Sequence, residues 1–196
     1  MTQAIAASTI AQQAFRYMEA SPLGSFGDES AEARAARTQY PIAISGALRR
    51  ADWSFASKLL SLPQITPDTV DLALVYTYRL PPEVLALREV RPELTAWRID
   101  GRLLRADEPG PLTVRATVTI DKETDLPGEF QDVVALLLAA ALSPNFASHA
   151  NRAALLRDQA EVAHRVALRA DRAQASAVRW DGRDEPFADW VDMATR

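Results

Sequence analysis

The sequence contains no cysteine, which removes disulfide scaffolds, thiol nucleophiles and thiolate metal sites together. Histidine is almost as scarce. His149 and His164 stand fifteen positions apart, whereas a helical metal pair needs two histidines one turn apart. Each is expected to be a solvated or capping side chain. Only 7 glycines are present, none in the G-x-x-x-x-G-K pattern that cradles phosphate. These absences leave no candidate catalytic residue, metal ligand or cofactor.

Long apolar runs are missing too. The longest, Val133 to Leu142, is about half of the roughly 20 residues that span a bilayer. The N-terminal residues Met1-Thr2-Gln3-Ala4-Ile5 lack the basic-then-apolar pattern of a secretory leader, so the cytosol is the expected compartment. With 22 basic and 26 acidic residues the net charge is -4, and no basic block suited to neutralising phosphates appears. Sequence-specific DNA binding is not expected, and a small helical regulator would need a basic recognition helix. An acidic protein can still surround DNA without gripping it, because like charge disfavours sticking.

What is there is enough for a core: 196 residues with 48% hydrophobic content fit one domain, or one domain plus an arm. Ser8 to Ala20 predicts a helix, with Ser8 or Thr9 as N-cap and Ile10, Ala14, Phe15 and Met18 on one face; Ser21-Pro22-Leu23-Gly24 ends it. Asp28 to Asp52 predicts a second helix, opened by Asp28 or Ser30, with Arg49 and Arg50 at the negative end of its dipole. Pro41 lies inside it, so a kink or a restart is expected there.

From Trp53 to Ile120 prolines recur and short alternating runs replace helical spacing. Leu72 to Tyr78, Val84 to Val90, Ala96 to Ile99 and Leu112 to Ile120 predict strands of a small antiparallel sheet, with a tight hairpin at Asp100-Gly101. Helical pattern resumes from Glu129 to Leu142, apolar nearly all round, as a helix buried on most faces or in a subunit interface. A long alanine- and arginine-rich helix follows, about Ser148 to Ala175, with Ala154, Leu155, Val162, Val166 and Leu168 as its apolar stripe. The expected class is α+β, mainly helical, with about four helices and a small antiparallel sheet mid-chain. Residues 1–176 form a helical domain with a β insertion at about 53–120, and 177–196 form a C-terminal docking arm.

That arm is acidic yet holds Trp180, Phe187 and Trp190, including two of the chain's four tryptophans. Solvated tails are normally poor in aromatics, so these residues are expected to anchor on a partner or fold back over their own domain.

Two local patterns invite a chemical reading and fail it. Gly24-Ser25-Phe26-Gly27 has the wrong spacing for a nucleophile elbow and follows a helix instead of a strand. Asp121-Lys122-Glu123-Thr124-Asp125 alternates acids as a calcium loop does, but Leu126 stands where the sharp turn needs glycine, and Pro127 follows, which an EF-hand would not accommodate. A strand-to-helix connection, with Asp125 helping to cap the next helix, is the expectation.

Taken in order, several segments resemble tail tubular protein A and related head-to-tail adaptor proteins of tailed phages. Leu23-Gly24 leads through an acidic step to an alanine-rich helix ending in Arg50-Ala51-Asp52-Trp53-Ser54-Phe55-Ala56, and Leu62-Pro63 follows. Tyr78-Arg79-Leu80-Pro81-Pro82-Glu83-Val84-Leu85 is similar to the family's tyrosine, Leu-Pro, acid and leucine segment. Gly101-Arg102-Leu103-Leu104 and Leu126-Pro127-Gly128-Glu129-Phe130 continue the match, which covers about residues 10 to 175. Glu83 stands where the family commonly has aspartate, Pro41 interrupts the second helix, and the aromatic arm has no counterpart in the pattern.

The resemblance implies a mostly helical structural subunit with a small sheet. It also implies a ring of about twelve copies between portal and tail, with DNA passing through its channel. The implied partners are further copies of the chain, the portal protein and a downstream stopper or tail protein, and the implied destination is a virion or phage-like particle built in a bacterial cytoplasm. The many alanines and arginines and few lysines point to a GC-rich source and so to a prophage or gene transfer agent. In this setting Trp180, Phe187 and Trp190 are candidates for binding the portal or a neighbouring subunit. Val133, Leu137, Leu138 and Leu142 are candidates for the oligomer interface, beside the plain alternative of a core helix. A stopper or tail terminator, and a cytosolic enzyme with convergent titratable groups, are the competing classes.

Overall fold

Ser8 holds extended backbone and its hydroxyl accepts the N–H of Ala11 at 3.0 Å, which starts helix α1 (Thr9–Tyr17). The computed structural model describes residues 8–20, 27–66, 71–92, 96–146 and 151–174. Of the two residues expected to open the second helix, Ser30 does so, accepting from Ala33 N–H at 3.0 Å; α2 runs over Ala31–Arg50. Pro41 causes no restart. It lies exposed, and the carbonyl its missing N–H would have bonded belongs to exposed Arg37, where water can take it.

Two more helices follow the strands, α3 (Gly128–Phe146) and α4 (Arg152–Ala173), so the structure is α+β with four helices among the described residues. Helix α3 is the centre. It packs against α1, α2 and α4, and its apolar surface on nearly every side is used by them. Val133, Val134, Leu138 and Ala139 are wholly buried there beside Phe15, Trp53 and Leu156.

Between α2 and α3 the chain builds two antiparallel sheets where one was expected. Strands β1 (Ser57–Leu62), β4 (Val84–Arg91) and β7 (Leu112–Val118) form the first, in the order β1-β7-β4. Strands β2 (Gln64–Ile65), β3 (Tyr76–Arg79), β5 (Trp97–Asp100) and β6 (Leu103–Ala106) form the second, in the order β2-β3-β6-β5. The chain passes from one sheet to the other at Pro63, which lies between β1 and β2 and cannot donate to a ladder. Leu62, Tyr78, Leu104, Leu112 and Val114 fill a core shared by the two sheets.

The hairpin at Asp100-Gly101 is present, with Asp100 paired to Leu103 and Gly101 at φ +63°. The strand expected from Leu72 begins only at Tyr76. The Asp71 carboxylate accepts the N–H of Ala73 at 2.9 Å and of Leu74 at 3.4 Å, turning the chain before pairing can start. Strand β1 escaped the sequence reading because Leu59, exposed on the outward face, interrupts the alternation that Leu60 and Leu62 keep on the inward one.

Candidate functional site

The helical and β parts are held to one another by polar ties built from residues far apart in sequence. The first lies where α2 hands over to the sheets. Between Leu87 and Glu89 the pairing of β4 with β7 advances two residues on one strand and one on the other, and Arg88 is the extra residue. Its guanidinium donates to Thr117 Oγ1 at 2.8 Å and to the carbonyls of Arg49 at 3.1 Å and Ala51 at 2.6 Å. A cation thus sits on the negative end of α2, where it satisfies carbonyls that the helix leaves open. Burial pulls Arg88's ionisation down, opposed by the Asp52 charge. Beside it, Arg115 pairs with Asp52 and with Glu89 at 3.4 Å, and Arg91 pairs with Glu89 at 2.6 Å.

The second tie surrounds Trp53. Its indole N–H donates to the Ala47 carbonyl at 3.1 Å, and its ring meets Phe130 edge-on at 5.0 Å and His164 edge-on at 5.4 Å. Phe55 closes the group against Phe130 at 5.0 Å. Asp171, near the end of α4, accepts the Ser54 hydroxyl at 2.6 Å and the Ser54 N–H at 3.0 Å, capping the short 3-10 turn Ser54–Ala56. His164 was expected to be solvated or capping; instead it is partly buried against Trp53. Its ionisation is lowered first by burial and then by the Arg50 charge, against Glu161. His149 lies outside the described residues.

Glu123 is the third tie, and it falls in the acidic segment that had been tested as a calcium loop. Its carboxylate accepts the Ser8 hydroxyl at 2.8 Å, the Ile10 N–H at 2.9 Å, the Tyr40 hydroxyl at 2.9 Å and the Thr9 hydroxyl. One side chain therefore holds the N-terminus of α1, the middle of α2 and the lead into α3. Burial raises the Glu123 carboxyl, but these donors together outweigh it and hold it below the ordinary glutamate range. Tyr40 is pushed up, by burial first and then by the Glu123 charge. A carboxylate with four donors is a structural node, with its acceptor sites already used. Sequence reasoning had the cap, Ser8, but no local signal could have supplied a carboxylate more than a hundred residues away.

Leu138, Val133 and Leu142, proposed from the sequence for a subunit interface, are wholly buried in this chain's own core, and Leu137 packs partly buried against it. For Val133, Leu138 and Leu142 that corrects the assignment: surface already covered within the subunit is not available to a neighbour, and the plain core-helix alternative describes them. The apolar surface that remains is on α4. Leu155, Val162 and Val166 are 47%, 53% and 57% exposed and recur at helical spacing, while Leu156, Ala160 and Ala167 face the core. Of the stripe expected from the sequence, Ala154, Leu155, Val162 and Val166 face outward, whereas Leu168 packs half-buried against the core. Trp180, Phe187 and Trp190 lie outside the described residues.

Among the described residues no cluster of three or more potential ligands could hold a metal ion, and no helix is long and apolar enough to cross a membrane. No protein-family model and no curated protein matches the sequence.

Proposed function

We propose that the chain is a non-enzymatic structural subunit that works by assembly. Within that class it is a head-to-tail adaptor, forming a ring between the portal and the tail of a phage or phage-like particle, with DNA passing through the channel. The observation that carries this reading is the exposed row Leu155, Val162 and Val166 on a long helix whose opposite side is fully packed. A folded subunit that still presents an apolar row on a rigid element has a surface suited to another protein. The ordered resemblance to adaptor proteins supports it, and the segments that carry that resemblance lie at junctions of this fold. Arg50 to Ala56 joins α2 to β1, Tyr78 to Leu85 joins β3 to β4, and Leu126-Pro127 opens α3.

Many weak contacts multiplied around a ring give avidity without a strong pairwise site. A chain that is monomeric alone and rings up on the portal is the expected behaviour. Electron microscopy of the protein mixed with purified portal rings tests it: a ring stacked on the portal is expected, and persistent monomers with no association overturn the adaptor reading. Removing residues 178–196 should leave a folded protein that no longer joins portal-bearing heads.

A further inference from the structure

The α4 row has a candidate occupant in the chain that follows it. Residues 175–196 follow directly on Gln174, which ends α4, and carry three large aromatics with five acids against three arginines, a net charge of 3 − 5 = −2. The exposed side of α4 is of opposite sign. Arg165 and Arg169 stand three residues on from Val162 and Val166, so they flank the row, and Arg172 lies one turn further. None of these three arginines has an ion-pair partner among the described residues. Asp158, beside Leu155, and Glu161, one turn before Arg165, are the two acids on that flank, and Glu161 is engaged by Arg50 at 2.6 Å.

Length agrees. Val166 is eight residues back from Gln174, about 12 Å at the helical rise, and Leu155 about 28 Å back. Trp180 is six residues beyond Gln174 and can reach about 20 Å in extended chain, while Trp190 can reach about 50 Å. Both ends of the row are within reach of an arm folded back along its own helix. Attachment at Gln174 sets an effective concentration on the order of millimolar, far above that of any free partner in dilute solution.

We propose that residues 175–196 seat on the α4 row of their own subunit, with Trp180, Phe187 and Trp190 covering Leu155, Val162 and Val166 and the arm's acids meeting Arg165 and Arg169. The inference goes beyond the adaptor reading and stands without it. If that reading holds, the arm and the row are two halves of one surface that a portal or a neighbouring copy must separate before using either.

Because the chain has no cysteine, the contact can be tested by introduced pairs in the full-length protein. Gln159→Cys, exposed beside the row, is combined with Ala188→Cys; Arg157→Cys, exposed about 200° away around the helix, replaces Gln159→Cys in the control. Oxidation of dilute purified protein without portal should give an intramolecular disulfide about tenfold faster for the first pair. Adding Val162→Asp to that pair should remove most of the advantage, with circular dichroism checking that helix content is unchanged. Equal rates for the two pairs, or no disulfide in either, overturns the proposal. Disulfide-linked dimers as the main product also overturn it, by showing that the arm seats on another copy. None of these results depends on whether the chain binds portal rings, so failure here and failure of the adaptor reading are read separately.

Discussion

Asp171 in the last turn of α4 accepts both the hydroxyl and the backbone N–H of Ser54, 117 residues earlier, and so pins the end of that helix to the point where the chain leaves α2 for the sheets. Asp171 is 9% exposed, so its carboxylate depends on these donors for its solvation.

Asp171→Ala should therefore leave Ser54 without its acceptor and destabilise the fold by about 1–3 kcal/mol, read as a lower urea midpoint at unchanged slope. Ser54→Ala removes the hydroxyl donor and keeps the N–H, so its cost should be smaller, on the order of 1 kcal/mol. Equal stability of wild type and Asp171→Ala would show that the tie contributes nothing.

Glu123 should shape the acid limb of stability. Its folded-state ionisation lies below the ordinary glutamate range, so just below that range the unfolded chain binds more protons than the folded one. The stabilisation is complete above the unfolded value and disappears as pH falls through the folded one. Glu123→Gln should flatten that limb and lower stability at neutral pH. Tyr40→Phe, which removes one donor of four, should do so more weakly, by about 1 kcal/mol. Urea melts between neutral and acid pH provide the comparison.

Gly110 lies against the buried Tyr78 ring. A Cβ there would stand 2.5 Å from Tyr78 Cε1 and 2.9 Å from its hydroxyl oxygen, which itself donates to the Glu108 carbonyl at 2.8 Å. The ring is enclosed by the core of both sheets and has little room to move. Gly110→Ala should cost about 1–3 kcal/mol by overpacking. A thermal midpoint equal to wild type would mean that the ring yields freely.

Helices α3 and α4 should respond oppositely to loss of apolar side chains. Leu138→Ala opens a cavity in a fully packed core and should cost about 2–5 kcal/mol. Val162→Ala on the exposed row should shift stability by no more than about 0.5 kcal/mol, up or down, plus whatever contact the arm makes there. Similar losses at both sites would mean that the two faces have been assigned the wrong way round.

Much of the helical framework was legible because it rests on local chemistry. Ser8 and Ser30 cap where a serine before a periodic run should, and the all-round apolar run from Val133 to Leu142 lies in the buried centre. Strand β1 was not legible, since Leu59 on its outward face masks the two-residue period of Leu60 and Leu62, and Asp71 displaced the start of β3 by turning the chain. On α4, Leu156, Ala160, Ala163, Ala167 and Leu168 pack inward, the small alanines allowing close approach to α3, while Leu155, Val162 and Val166 of comparable apolar volume stay outside, so hydrophobicity alone did not tell the two sides apart.

Sequence alone thus determined the capped helices, the β insertion, the hairpin at Gly101 and the absence of cysteine chemistry, all consequences of residues within one or two turns of each other or of composition. Tertiary structure decided that the middle segment divides into two sheets, that Glu123 and Asp171 tie distant helix ends together, that α3 spends its apolar surface internally and that α4 keeps a row outside. The reason is physical: caps and turns act between near neighbours, whereas the side of a helix that is buried depends on which elements pack beside it, and those come from distant parts of the chain.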